Sequence, residues 1–289
     1  MKLGLQIPRF HWAGGPAEIR SRLQEIARAA EDAGFSSLWV MDHLFQIRST
    51  GQVDEEMLES FTTLGFLAAS TSRIDLGTLV TAVSYRQPGL LVKQLSTLDV
   101  LSGGRMWMGI GAGWYEREAR GLGLSFPETR VRFELLEDTL RLARQMWQGD
   151  PSSFYGKRAM LAEPICSPQP LHRPRVLIGG GGERKTLQLV ARYGDACNFF
   201  GRLPAPELER KLEVLRAHCE AEGRSYDEIE KTVLTDLNPR RKAPAQIVDE
   251  LGAYGQLGFQ TVIASVKQVD TLQPLELIGS EVIPRIATL

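Results

Sequence analysis

Eight short apolar runs, each followed by an amphipathic stretch of helical period, predict an α/β protein in which strands and helices alternate along the whole chain. Two further observations close the sheet into a barrel. The runs are apolar on both faces, as strands of a parallel sheet covered on both sides must be. The chain has 289 residues, which suits a closed barrel of eight such units, for which roughly 250 residues are typical. No linker or shift in composition marks a second domain. Residues 1–289 are therefore expected to form a single (β/α)8 TIM-barrel domain rather than an open doubly wound sheet.

The first run, KLGLQI, reads as a strand. Pro16 then opens a helix where a missing N–H costs least, with Ile19, Leu23, Ile26, Ala27 and Ala30 on one face and Gly34 ending it. SLWVMDH is the second strand, MLESFTTLGFLAAST a helix, IDLGTLV the third strand, and PGLLVKQLSTLDVLSGG a helix closed by glycines. RMWMGIG is the fourth strand. After it, YEREARGLG can begin a helix, and RFELLEDTLRLARQMW carries Phe133, Leu136, Leu140 and Ala143 on one stripe. Residues 150–174 are the one long irregular segment, rich in proline, with SFYGKRAML expected as a small hairpin near the barrel mouth. RVLIGG is the fifth strand, with a helix from Arg184 to Tyr193, and DACNFFG the sixth, followed by the helix PELERKLEVLRAHCEAEG. KTVLTDL and the helix AQIVDELGAYGQLG make the seventh unit. FQTVIASV and PLELIGSEVIPRIA make the eighth, its helix interrupted at Gly279.

Composition narrows the function. At 43% hydrophobic and 24% charged residues the chain suits a large globular protein with an ample core. A formal net charge of -1 lacks the basic excess that a nucleic-acid or anionic-membrane partner favours. MKLGLQIPRF has too short an apolar run for a signal peptide, and no run approaches a membrane span, so a cytoplasmic protein is expected. Cys166, Cys197 and Cys219 are odd in number and widely spaced, which indicates neither a disulfide framework nor a zinc site.

In such a barrel the ligand lies at the carboxyl ends of the strands. The residues there include Pro8, Arg9, His11 and Trp12 after the first strand, Asp42 and His43 after the second, and Thr81 after the third. Gly111, Ala112, Gly113 and Trp114 follow the fourth strand, Gly180 to Glu183 the fifth, and Asn198 to Gly201 the sixth. No facing carboxylate pair, metal-ligand cluster or GxSxG turn is present. GIGAGW also lacks the third glycine of the dinucleotide fingerprint, since Trp114 follows Gly113. Two glycine-rich loops, one His and several large aromatics remain, a set that suits a planar cofactor with a phosphate tail.

Taken together, SLWVMDH, LGTLVTAVSYRQP, TLDVLSGGRMWMGIGAGW, LEDTLRLARQMW, PQPLHRPRVLIGGGGERKTLQLVARYGDACN and RAHCEAEGRS resemble the bacterial luciferase-like flavin and deazaflavin oxidoreductases, in particular their F420-dependent branch. The resemblance covers nearly the whole chain. It implies an enzyme that transfers a hydride between F420 and a small organic substrate, with FMN as the alternative cofactor. His43, preceded by Asp42, matches the "DH" that lies against the cofactor ring, where an imidazole can donate a hydrogen bond or relay a proton. GTLVTA matches a bulge of the third strand behind the ring, with a non-proline cis peptide at Leu79–Val80 and Thr81 beside it. The cofactor's phosphate tail then falls to Gly111, Ala112, Gly113 and Trp114, and to Gly179, Gly180, Gly181, Gly182 and Glu183, because glycine lets the backbone approach closely.

Departures shape the substrate. Family members that oxidise sugar phosphates have a Glu after the glycine loop and a Trp beyond the "DH", where this chain has Trp114 and Ile47. That argues against a sugar phosphate. The monooxygenase members' "EHH" is replaced by MDH, which favours F420 over FMN. His11, Trp12, Phe45, Tyr115, Asn198 and Phe199 are expected to line a pocket for an apolar or planar substrate. A homodimer is expected, and FTTLGFLAAS is apolar enough to serve it, although packing against the barrel explains that run equally well. Two rival readings are an FMN-dependent monooxygenase and a non-catalytic flavin or F420 carrier.

Overall fold

The computed structural model describes residues 1–289. Its strands are β1 (Lys2–Ile7), β2 (Ser37–Val40), β3 (Asp75–Thr78), β4 (Thr81–Ala82), β5 (Met106–Gly111), β6 (Phe154–Tyr155), β7 (Met160–Leu161), β8 (Arg175–Gly179), β9 (Ala196–Phe200), β10 (Glu230–Leu237) and β11 (Thr261–Val266). Its α-helices are α1 (Pro16–Asp32), α2 (Ser60–Ser70), α3 (Pro88–Ser102), α4 (Glu116–Gly121), α5 (Thr129–Trp147), α6 (Thr186–Tyr193), α7 (Ala205–Ala221), α8 (Pro244–Gln256), α9 (Gln273–Glu281) and α10 (Ile283–Ile286). β1 pairs in parallel with both β2 and β11, and the ladder runs on through β10, β9, β8 and β5 to β3 and β4. β3 also pairs with β5, so the ring closes. β3 and β4 are one stave broken at Leu79–Val80, where the peptide is cis. The eight-stave barrel expected from the sequence is thus the observed fold.

Alternation along the strands divides the core in two. Outward residues such as Leu3, Leu5, Ile7, Leu38, Val40, Leu76, Met106, Met108 and Ile110 meet the helices in one large cluster. Inward residues Trp39, Leu79, Trp107, Leu177, Ala196 and Ile263 fill the barrel axis, with Trp39 and Trp107 edge to face at 5.6 Å. The amino end of the barrel is plugged by polar pairs: Trp107 Nε1 donates to Asp75 at 3.0 Å, and Arg175 meets Glu230 at 2.8 Å while lying over the Trp107 ring. These pairs leave only a small cavity at that end, between Asp75, Trp107, Glu230 and Thr261. No helix is long and apolar enough to cross a membrane.

Two local expectations are corrected. The β6–β7 hairpin does not sit over the mouth. It lies outside the barrel along α3 and α5, where Asp138 of α5 accepts the backbone N–H groups of Arg158 and Ala159, and Cys166 packs beside Ser96 of α3. Phe154, Ala159 and Cys166 are buried there, so the segment follows the apolar groove it covers. The last helix breaks at Val282 rather than Gly279. A Cβ at Gly279 would lie 2.7 Å from the Ala33 Cβ, so this glycine allows α9 to approach the end of α1.

Arg105 ties the amino-end connections together. Its guanidinium donates to the carbonyls of Ser102, Ile74, Ala68 and Thr71 and to the Thr71 hydroxyl, at 2.6 to 3.1 Å. Burial lowers its pKa below the usual arginine value, with only the distant charges of Glu31 and Asp75 opposing. Arg105→Met leaves these buried carbonyls without a donor and should destabilise the fold by about 3 kcal/mol, read as a lower urea midpoint.

Candidate active site

The floor of the mouth is set by the broken stave. Val80, just past the break, directs its methyls at the two strands that follow: a Cβ on Gly179 would lie 2.8 Å from Val80 Cγ1, and one on Gly111 3.0 Å from Val80 Cγ2. Gly109 faces the Thr78 carbonyl so closely that any Cβ would collide with it. The first task of these glycines is therefore to admit the bulge. Leu79 joins the barrel-axis cluster, and Thr81 is buried with its hydroxyl 2.7 Å from that of Thr78. Residues 79–81 and the starts of both glycine loops lie together here.

Above this floor stands His43, half-buried after β2. Its Nδ1 lies 2.7 Å from Oε1 of Glu118, a carboxylate with no solvent exposure. The Tyr85 hydroxyl donates to the same oxygen at 2.5 Å, and the N–H groups of Leu44 and Phe45 donate to Oε2 at 2.7 and 3.0 Å. Burial pushes the Glu118 carboxyl up, but the His43 hydrogen bond and charge, the Tyr85 hydroxyl and the Phe45 N–H outweigh it and hold it below the ordinary 4.5. Burial and the neighbouring Glu118 raise the Tyr85 hydroxyl, which stays protonated. Neither Glu118 nor Tyr85 was singled out from the sequence.

Asp42 does not face the mouth. Its carboxylate takes both ends of the Arg86 guanidinium at 2.7 and 2.9 Å and the Ser60 hydroxyl at 2.6 Å. Arg86 also bonds Glu59, the N-cap of α2, at 2.5 Å. Asp42 thus anchors the turn that carries His43, a positioning role in place of the catalytic one expected.

Aromatic side chains wall the opposite side. Trp114 and Tyr115 stack at 5.0 Å, and each meets the His43 ring edge-on, at 5.4 and 5.6 Å. Trp114 remains 63% exposed, the most open large ring beside His43. Phe45 packs against Gly121 of α4. His11 bonds Glu56 at 2.6 Å on the rim, and Trp12 leans on Phe10. Asn198 is buried and donates to Thr232. Phe199 is corrected: it is 2% exposed and packs on Phe259 in the outer core, whereas Phe200, one residue on, faces the mouth and is half exposed.

The second glycine loop enters α6 through Gly180, at φ +113°, which a residue with a side chain rarely adopts. Gly181 and Gly182 follow, the Gly182 carbonyl accepts the Leu187 N–H of the first turn at 3.1 Å, and the N-cap position of α6 has no side-chain cap. Glu183 does not offer its charge to this loop. Arg210 and Lys211 of α7 hold it at 2.8 and 3.5 Å, and Lys211 also donates to the Gly181 carbonyl. Ala112 accepts from Arg132 of α5, and Gly113 at φ +76° turns the first loop toward α4.

A parallel barrel with one histidine and two glycine loops at the carboxyl ends of its strands defines a cofactor-using barrel enzyme. Within that class the chain belongs to the luciferase-like monooxygenase family, whose model matches residues 1–260. An F420-dependent glucose-6-phosphate dehydrogenase of Kineococcus radiotolerans is 31% identical over 90% of this chain and 74% of its own. The enzyme of the same name from Nakamurella multipartita is 26% identical over 95% and 94%. The solved structure of an F420-dependent secondary alcohol dehydrogenase in complex with an F420–acetone adduct matches with a TM-score of 0.82 at 18% identity, over 99% of this chain and 98% of that one, which shows the shared fold.

Two tests follow from this geometry. Gly179→Ala should cost about 1 to 3 kcal/mol through overpacking, and adding Val80→Ala should recover most of it, seen as a positive coupling in urea denaturation. Glu118 is depressed below 4.5 in the folded state, so its stabilisation is complete above that pH and is lost as pH falls through the lower folded value. The urea midpoints of wild type and Glu118→Gln should therefore converge as pH falls below 4.5.

Proposed function

We propose that the protein is an F420-dependent oxidoreductase that transfers a hydride between the deazaflavin and an apolar or planar organic substrate. The observation that carries this reading is His43, held by Glu118 over a floor made by Val80 between two glycine loops. The F420-dependent relatives support it. The site fits the cofactor by its donors. The hydroxyls of Tyr115 and Ser84, on loops flanking His43, are buried without a protein partner and suit the polar edge of a ring. When bound, F420 would supply the carbon that accepts or gives the hydride.

The chain's own residues would do the rest. Val80 and Leu79 would back the ring, and Gly111 to Trp114 with Gly179 to Gly182 would take the tail. His43 would orient the ring and hold or release a proton at Nε2. Trp114 and Tyr115 would shield that nitrogen from water, with Phe200 on the far rim. The substrate differs from that of the sugar-phosphate relatives, because the exposed Trp114 ring suits an apolar face and offers no charge.

The oligomer we propose is a cytoplasmic homodimer, but not through α2. Phe61, Leu64, Leu67 and Ala68 of that helix are buried against the barrel. Tyr155 and Met160 on the hairpin, with Leu90 and Leu101 on α3, are the exposed apolar side chains that would meet a second copy.

Fluorescence titration of the apo-protein with oxidised F420 and, in parallel, FMN tests the reading. F420 should bind clearly and FMN weakly; the reverse moves the protein to the flavin monooxygenases, and binding of neither sinks the proposal. His43→Ala should lower turnover about 100-fold or more with a modest loss of F420 affinity, the range of a lost general acid or base.

A further inference from the structure

We infer that Glu118 is the positioning residue that fixes the His43 tautomer, so that Nε2 meets the cofactor and substrate as a proton acceptor. The inference rests on the function proposed above for what Nε2 acts on, but not for the hydrogen bonding itself.

The carboxylate reads the donors around it without ambiguity. Oε2 takes the two backbone N–H groups of Leu44 and Phe45, which can only donate. Oε1 takes the Tyr85 hydroxyl and His43 Nδ1. An ionised carboxylate accepts and never donates. The ring nitrogen facing Oε1 must then carry the proton, and in the neutral imidazole the other nitrogen, Nε2, is left with its lone pair outward. No other carboxylate touches His43. The two rings beside it, Trp114 and Tyr115, meet it edge-on rather than through a hydrogen bond.

The same geometry says what a neutral isostere does. In Glu118→Gln the amide oxygen must take the Oε2 place, because the Leu44 and Phe45 N–H groups tolerate no donor there. The amide NH2 is then forced to the Oε1 place, facing His43 Nδ1 and Tyr85. A donor at that point requires Nδ1 to accept, which moves the ring proton to Nε2. Tyr85 can adjust by turning its hydroxyl to the Tyr115 carbonyl, 3.3 Å away. One atom exchanged at residue 118 thus turns Nε2 from an acceptor into a donor. When a substrate C–H bond breaks with its electron pair leaving as hydride to F420, the substrate's O–H or N–H proton passes to Nε2. In the reverse direction the imidazolium returns that proton. A ring already protonated at Nε2 can do neither step in its neutral form.

Long-range 1H–15N correlation spectra of 15N-histidine-labelled apo-protein test this without cofactor or turnover, at an alkaline pH where the spectra themselves show a neutral His43 ring. The signals of His43 are identified among the four histidines by their loss in His43→Gln. Wild type should show a protonated Nδ1 and a bare Nε2, Glu118→Gln the opposite tautomer, and Tyr85→Phe, which keeps the carboxylate, the wild-type pattern. A protonated Nε2 in wild type overturns the inference even if Glu118→Gln fails to fold, and so does an unchanged tautomer in a folded Glu118→Gln. On activity, Glu118→Gln should lose about 100-fold in turnover while its F420 dissociation constant stays within about threefold. The expected tautomers in a protein that does not bind F420 would leave the inference standing and remove the proposed function instead.

Discussion

A carboxylate without solvent exposure organises this site. Glu118 lies on α4, between charged residues that face water, and its own side chain is fully enclosed. Burying an unpaired charge is costly enough that the group would ordinarily take up a proton. Here four donors from two segments, residues 43–45 and Tyr85, converge on it, and of these only the Tyr85 hydroxyl has a second acceptor, the Tyr115 carbonyl. The turn after β2, the loop before α3 and the first turn of α4 are therefore held to one another through one side chain. His43 inherits its position and its protonated face from that arrangement.

The second constraint is steric. A stave that breaks at Leu79–Val80 must put the displaced side chain somewhere, and Val80 goes toward β5 and β8. Those strands can lie so close only because Gly109, Gly111 and Gly179 carry no Cβ. The two glycine runs thus serve two purposes at successive positions: their first glycines admit the bulge, and their later ones, Gly113 and Gly180 at positive φ, turn the backbone away from the strand. A short glycine motif read in isolation shows only the second purpose.

The staves were legible because a parallel strand buried on both faces is a continuous apolar run, and the helices because their period differs from it. That His43 and both loops lie at the carboxyl end of the barrel was legible because each directly follows a strand. What escaped has physical reasons. In YEREAR the buried Glu118 is locally indistinguishable from the exposed Glu116; only its bond to a histidine 75 residues earlier sets it apart. Asp42 looked catalytic beside His43, yet Arg86, 44 residues on, claims it. Phe199 and Phe200 exchange roles by a single step of strand register, which reverses the face of every side chain. The hairpin's path depends on a groove between α3 and α5 that no local pattern encodes.

The distribution of charge around the mouth bears on what enters it. Arg9 is matched to Glu55, His11 to Glu56, and Arg86 to Asp42 and Glu59, so these charged side chains of the loops after β1, β2 and β4 are paired with one another, while Arg48 and Asp54 face solvent. Glu118 is enclosed, and Glu183 is held by α7. What this side of the mouth offers beside His43 is therefore aromatic surface, chiefly Trp114 and Tyr115. An uncharged planar group beside these two rings would exchange water for ring contact.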